Sequence, residues 1–358
     1  MILCFDRKCQ KFLTLSIKIR GLYFDNYIDS YLTERARKRL VTKKIAGIIF
    51  LVILIVSSIF IGLVNLPIFE LGTWSSRQNL VLLSSRLPRT LSLVIAGASV
   101  SVSGLVMQNL MQNKFVSPNT AGTMDSAKLG IVFVMIFLPN APLLMRTTVA
   151  FGFAFLGTCL FLLISRYLPS KNTILIPLVG IMFGNIIGSI ATFFAYQHQL
   201  LQNMASWLQG NFSVVMRGNY ELLYLSIPLF IIIYLFAYQF TIMAAGQEMA
   251  INLGISYQKM RLVGIGIIAL SSSIILVSVG NIPFLGIIVP NLVSLKFGDQ
   301  MKNNLPLTAY FGASFLLICD MIGRIIIAPY EISVSLIVGV LGSICFIGLL
   351  LKESRRYS

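Results

Sequence analysis

Uncharged, predominantly apolar intervals follow one another along most of the chain, at 45–69, 90–113, 129–145, 147–165, 172–216, 222–247, 262–295, 303–319 and 332–351. A helix needs roughly 20 such residues to cross the hydrocarbon core of a bilayer. The interval 172–216 holds one span, to about 195, and then a polar stretch with Gln197, His198, Gln199, Gln202 and Asn203. The interval 262–295 is too long for one span and is divided by Gly280-Asn281-Ile282-Pro283. The pattern predicts an all-α polytopic membrane protein of about ten transmembrane helices. Barrel strands would alternate apolar and polar residues at period two, whereas these runs are continuous.

Composition agrees. Apolar residues make up 57% of the 358 and charged residues 11%, against about 25% charged in an ordinary globular domain. The 28 Lys and Arg outnumber 12 acids, for a net charge of +16, but nucleic-acid binders carry such charge on a polar surface that this chain lacks. With both termini cytoplasmic and ten spans, six of the basic residues fall outside: Arg77, Arg86, Arg89, Arg146, Arg217 and Arg324. The remainder fall inside, as the positive-inside rule requires. The external cations are all Arg, whose planar fork grips a carboxylate at two points.

Three regions follow: a basic cytoplasmic extension at 1–44, a ten-helix domain at 45–352 and a cytoplasmic tail at 353–358. The extension has no signal-peptide order. Its cluster Arg35-Ala36-Arg37-Lys38-Arg39 reads as an anchor to anionic headgroups, the plainer alternative being an inert or mis-started leader.

Several chemistries drop out. Cys159, Cys319 and Cys345 lie in apolar spans, Cys4 and Cys9 lie in the extension, and His198 is the single histidine. No ligand set for zinc, haem or an iron–sulfur cluster is available, so no metal site and no cofactor is expected. The phosphate-binding pattern G-x-x-x-x-G-K-[ST] does not occur, so the chain is read as no enzyme, with any ATP hydrolysed by a partner. Asp125 and Lys128 are one turn apart, as are Asp320 and Arg324, and each pair reads first as mutual neutralisation. A membrane interior so poor in charge gives no support to proton-relay chemistry. Small residues at spacing four, Gly97/Ser101 and Ser99/Ser103, mark a tightly packed bundle.

Three cytoplasmic stretches carry more information: 107–118, 169–173 and 246–255. The third begins after Gly246, has Glu248 in its first turn and stops at Gly254, the start and stop signals of a short helix. Such a helix of about ten residues cannot cross a membrane. It suits a groove on a soluble partner, or else is an ordinary interfacial helix.

These residues resemble a known family. Arg86-Leu87-Pro88-Arg89-Thr90-Leu91, Ser103-Gly104-Leu105-Val106-Met107-Gln108, Asn113 with Pro118, Glu248-x-Ala250-x-x-Leu253-Gly254, Pro283-Phe284-Leu285-Gly286-Ile287-Ile288-Val289-Pro290 and Asp320-x-x-x-Arg324 occur in its order. The chain is similar over about 45–352 to the FecCD-type permeases, membrane subunits of ATP-driven importers for iron–siderophores, haem and cobalamin. The resemblance implies ten-helix subunits paired into a pore in the bacterial cell (inner) membrane. An ATP-binding subunit dimer would lie beneath and a substrate-binding lipoprotein or periplasmic protein above. It makes Arg86, Arg89 and Arg324 the arginines that receive carboxylates of the binding protein. Gly246, Glu248, Ala250, Leu253 and Gly254 would belong to the helix coupled to the ATPase. Asn113, Phe115, Asn172 and Thr173 would form the cytoplasmic gate.

Three departures stand out. Family members often read Asn-Pro-Leu-Ala-Asp-Pro where this chain has Asn113-Lys114-Phe115-Val116-Ser117-Pro118. They read Gly-Val-Ser-Ser-Gly-Ala where it has Gly122-Thr123-Met124-Asp125-Ser126-Ala127. Pro-His-x-x-Arg is replaced by Pro290-Asn291-Leu292-Val293-Ser294. These variants look like the catecholate and petrobactin branch, whose permeases usually come as two different chains, which favours a heterodimer. The expected function is the pore subunit of an iron–siderophore importer. Haem or cobalamin import is the alternative within the family, and a self-sufficient secondary carrier is the alternative outside it.

Overall fold

The computed structural model describes residues 45–62, 75–165, 167, 175–216, 218, 220–327 and 329–357. It divides into two compact units, Met1–Ile53 and Leu54–Ser358. The boundary falls inside the first helix, α1 (Ile45–Phe60), and of the first unit only 45–53 are described. The basic extension at 1–44 and the gate residues Asn172 and Thr173 lie outside the described residues.

Helices then follow in order: α2 (Gln78–Met111), α3 (Thr123–Phe137), α4 (Leu143–Ser165), α5 (Leu175–Gln197) and the short α6 (Leu201–Leu208). Next come α7 (Glu221–Leu235) and α8 (Ala237–Ala244), which meet at a 62° bend, and α9 (Gln247–Asn252). The chain closes with α10 (Tyr257–Val279), α11 (Leu285–Phe297), α12 (Met301–Ile325) and α13 (Val334–Tyr357). Among the described residues β-structure is confined to an isolated bridge between Gln209 and Asn281.

Every predicted apolar interval holds a helix. Among the described residues, five helices are long and apolar enough to cross a membrane, or six if α7 and α8 count as one bent span. α1, α11 and the Val334–Leu349 part of α13 are shorter apolar helices. The division at Gly280–Pro283 is observed: α10 ends at Gly280, whose φ of 86° suits only glycine, and α11 starts after Phe284.

Charge misplaced several predicted boundaries. α2 begins well before residue 90 and takes in Arg86 and Arg89, while α12 runs past 319 through Asp320 and Arg324. These groups neutralise one another and so do not end their helices. α3 stops at Phe137 rather than near 145 because Pro139 and Pro142 interrupt the chain. At the C-terminus α13 continues through the residues read as a tail, to Tyr357.

The core is built around α2 and α10, in each of which 72% of the apolar window is buried, against 22% for α5. Small residues permit the close packing. Gly104 of α2 meets Gly286 of α11 so closely that a Cβ at Gly104 would fall on the Gly286 carbonyl. Without a hydrophobic drive between helices in lipid, such backbone approach is a main source of packing energy. Ser103 Oγ donates to Ser271 Oγ at 2.9 Å, joining α2 to α10, and the Thr123 and Thr158 hydroxyls lie 2.8 Å apart between α3 and α4.

Candidate functional sites at the two ends of a central helix

At the N-terminal end of α2 two of the three predicted docking arginines, Arg89 and Arg324, converge on one carboxylate, with Arg86 beside them. Asp320, fully buried, accepts at Oδ1 from Arg89 Nε (3.0 Å) and Nη2 (2.7 Å), and at Oδ2 from Arg324. Arg89 Nη1 donates to Glu331 Oε2 at 2.7 Å. Arg324 Nη1 donates to the carbonyls of Ser58 (2.9 Å) and Ile61 (2.8 Å), and Arg86 also donates to the Ile61 carbonyl. Thus the cluster ties the end of α1 to α2, α12 and the segment entering α13. Lysine could not do this, since only the guanidinium fork reaches two acceptors in a fixed plane.

An arginine set placed outside to receive a partner's carboxylates would be expected to lie open to water, and these three do not. Arg86, Arg89 and Arg324 are 8%, 7% and 6% exposed. Three cations face two anions in a nearly closed site, where removing one partner strands the others. The pairing of Asp320 with Arg324 was legible as a one-turn spacing. Arg89 joins from 231 residues away, and Glu331, absent from the predicted set, enters through the loop before α13.

At the other end of α2 the chain turns at Gln112 (φ 49°), whose Nε2 donates to the Met243 carbonyl at the end of α8. The predicted coupling segment follows directly. It is a helix of six residues rather than about ten, bounded by Gly246 (φ 119°) and Gly254 (φ 77°). Both glycines sit where an L side chain is strained. Ala250 is buried and holds the segment to the bundle, while Met249, Ile251 and Leu253 are 53%, 56% and 54% exposed, beside an exposed Glu248. Three large apolar side chains displayed within five positions form a sticky surface in a short rigid turn.

The described half of the predicted gate is packed inside the chain. Asn113 is buried and its Oδ1 accepts from the Phe115 backbone N–H at 2.9 Å. The Phe115 ring meets Phe346 edge-on with centroids 6.1 Å apart, and Phe346 in turn lies 6.1 Å from Phe284. These aromatics join the loop after α2 to α11 and α13. Asp125 and Lys128, predicted to neutralise each other, are not in ion-pair contact: neither side chain makes an ion pair or a hydrogen bond to another residue among the described residues.

The pattern of the FecCD transport family matches residues 50–352. The chain belongs to this family. It is 50% identical over 305 residues to the petrobactin import system permease protein YclN of Bacillus subtilis, covering 85% of this chain and 96% of that protein. It is 38% identical to the ferric-anguibactin transport system permease protein FatD of Vibrio anguillarum, covering 84% and 95%. A solved ABC transporter in an inward-facing conformation shares the fold, with a TM-score of 0.73 and 23% identity over 86% of this chain and 98% of that one.

In this FecCD chain the stretches 113–118 and 290–294 meet at one corner. Lys114, in place of the proline, sends Nζ to Ser294 Oγ (3.2 Å) and to Asp299 (3.2 and 3.3 Å), and its carbonyl accepts from Asn291 Nδ2 at 2.8 Å. Asn291 and Ser294 stand where the family pattern has His and Arg. In this chain the positive charge of the corner lies on the loop that faces α11, and the corner is joined by these contacts. Burial pushes the Asp299 carboxyl up, but hydrogen bonds from Ser294 and Lys114, with the Lys114 charge, outweigh it and hold the group below its ordinary value.

Proposed function

We propose that this chain is the pore subunit of an ATP-driven importer that carries iron–siderophore complexes from a binding protein across the bacterial cell membrane into the cytoplasm. The observation that carries this reading is 50% identity, over 96% of its length, to a petrobactin import system permease, with 38% identity to a ferric-anguibactin permease beside it. In this reading ten helical segments span the membrane with both termini inside, α7 and α8 counting as one, and the chain pairs with a second, different permease subunit. ATP is hydrolysed by a partner dimer.

The exposed triplet Met249, Ile251 and Leu253 supports seating of 246–255 on that ATPase. Asn113 and Phe115, with Asn172 and Thr173, form the cytoplasmic gate, and the packing of Phe115 on Phe346 links such a gate to movement of α13. Arg86, Arg89 and Arg324 form the base of the binding-protein rim. Their commitment to Asp320 and Glu331 means that a partner's carboxylate displaces Glu331 first, because that side chain, at 26% exposure, is the most accessible acid of the cluster.

The test is uptake of radiolabelled iron by a deletion strain carrying this chain, offered a panel of ferric siderophores, haem and cobalamin. Uptake of one or more ferric siderophores, dependent on a neighbouring ATPase, is expected. Uptake without any ATPase, or of haem or cobalamin alone, overturns the reading. Leu253→Asp should abolish uptake and substrate-stimulated ATP hydrolysis while the subunit still inserts, since Leu253 is exposed in the single chain and a stranded charge in an apolar groove costs several kcal/mol (~3–5). Wild-type uptake by Leu253→Asp removes the coupling assignment.

A further inference from the structure

Two stripes run along α5. Gly180, Gly184, Gly188, Ala191 and Ala195 form its buried edge. Beside them, displaced by one residue, Asn185, Ser189 and Thr192 are exposed at spacings of four and three, with Tyr196 one turn further on. Farther round, the exposed positions turn apolar, as at Met182, Ile186 and Ile190. In the second half of α4, by contrast, the exposed positions are apolar, as at Leu156, Leu160 and Leu163.

The polar stripe faces Asp125 and Lys128 of α3 across an open cleft of about 570 Å³. The glycines bring the two charges there. A Cβ at Gly184 would lie 2.6 Å from Asp125 Oδ2, and one at Gly188 would lie 3.4 Å from Asp125 Oδ1 and 3.9 Å from Lys128 Nζ. Both charged heads therefore rest over bare α5 backbone, and neither is held in an ion pair. Two ionisable groups and a polar stripe lining one open cleft between helices in a membrane are costly against hydrocarbon, and such groups line water-filled paths or bundle interiors.

We propose that this cleft is a water-filled contact site for the cargo, in which Lys128 meets the anionic oxygens of a ferric chelate and Asn185, Ser189 and Thr192 hydrogen-bond its periphery. The inference rests on the import reading above for the identity of the cargo. A compact ammonium suits a rounded, oxygen-rich anion that offers no planar carboxylate to a guanidinium fork. Asp125 acts as a positioning residue: its charge tempers that of Lys128, so that an anion is admitted without being retained, as conduction demands.

The test uses the complete transporter in its membrane. In a chain whose five cysteines are replaced by alanine, Ser189→Cys and Ile190→Cys are labelled with a membrane-impermeant maleimide, with and without a ferric tris-catecholate chelate. Ser189→Cys should react at least tenfold faster than Ile190→Cys, and transport of the chelate should slow it. Lys128→Gln should lower the maximal rate of tris-catecholate iron uptake about tenfold with little change in KM, which the binding protein sets, and Lys128→Arg, which keeps the charge but not the compact ammonium, should restore only part of the rate. Equal labelling of the two cysteines, or Lys128→Gln uptake at the wild-type rate, overturns the proposal. If the wild type imports no ferric chelate, the functional reading itself falls and the cargo assignment with it. The labelling contrast would then still decide whether the cleft is water-filled.

Discussion

Asp320→Asn is the sharpest perturbation the structure offers. The carboxylate is completely buried and takes two hydrogen bonds from Arg89 and one from Arg324. The substitution preserves volume and removes one of the two anions that face three buried guanidinium groups. Arg89 keeps Glu331, and Arg324 keeps the Ser58 and Ile61 carbonyls, so the site is weakened rather than emptied. Breaking a buried pair in this way costs about 3–5 kcal/mol. At roughly 2–4 °C per kcal/mol, the thermal midpoint of the detergent-solubilised protein should fall by about 10 °C. Glu331→Gln removes the other anion at a site a quarter exposed, where an ion pair is worth about 1 kcal/mol or less, and should move the midpoint by only a few degrees. The double variant Asp320→Asn, Arg324→Gln removes a cation as well and should recover part of the loss, a coupling of about 0.5–3 kcal/mol. If Asp320→Asn melts within ~2 °C of wild type, or if Glu331→Gln costs as much, the buried-cluster reasoning is wrong. The same geometry redefines a docking test. Reversing Arg86 and Arg89 to Glu would set new carboxylates beside Asp320 and disturb folding before docking, so Glu331→Gln is the cleaner probe of the binding-protein rim.

Gly104→Ala should be far more damaging than Gly348→Ala, read as yield and melting midpoint. The added methyl at 104 meets the Gly286 backbone, which cannot yield as a side chain would, and costs about 1–3 kcal/mol or more, whereas nothing lies within 4 Å at Gly348 and alanine there gains about 0.5–1 kcal/mol in helix propensity. Phe115→Ala should cost about 3–5 kcal/mol through the lost aromatic contacts and the cavity left behind. Phe115→Leu should fold nearly normally, so ATP hydrolysis uncoupled from uptake in that variant would support the gate, and full coupling would reduce Phe115 to packing. The difference in midpoint between wild type and Asp299→Asn should be constant above about pH 5 and shrink as the pH falls through and below ~4. A carboxylate with a depressed pKa contributes stability above its unfolded value, near 3.9, and loses it on protonation in the fold. A difference that grows on acidification would refute the Lys114–Asp299 contact.

Helix existence, order and approximate length were legible in the sequence because they follow from local facts. Continuous apolar runs cannot form exposed irregular backbone in lipid, and Gly280 with Pro283 ends a helix whatever surrounds it. The short segment between Gly246 and Gly254 was legible for the same reason, since its bounding glycines act within a few residues. What the arginines do was not. Arg86 and Arg89 look like the hydrated border of a span until Asp320, 231 residues from Arg89, and the unforeseen Glu331 are placed against them. Burial of a charge is decided by its partner, and no local pattern specifies a partner so remote. Phe115 looked like a bulky seal, and only the approach of α11 and α13 shows it set edge-on against Phe346. Asp125 and Lys128 satisfied a one-turn spacing that suggested mutual neutralisation. The tertiary structure leaves them short of ion-pair contact, with Asp125 over Gly184 and Gly188 and Lys128 near Gly188, where α5 lacks side chains and leaves room for their charged ends.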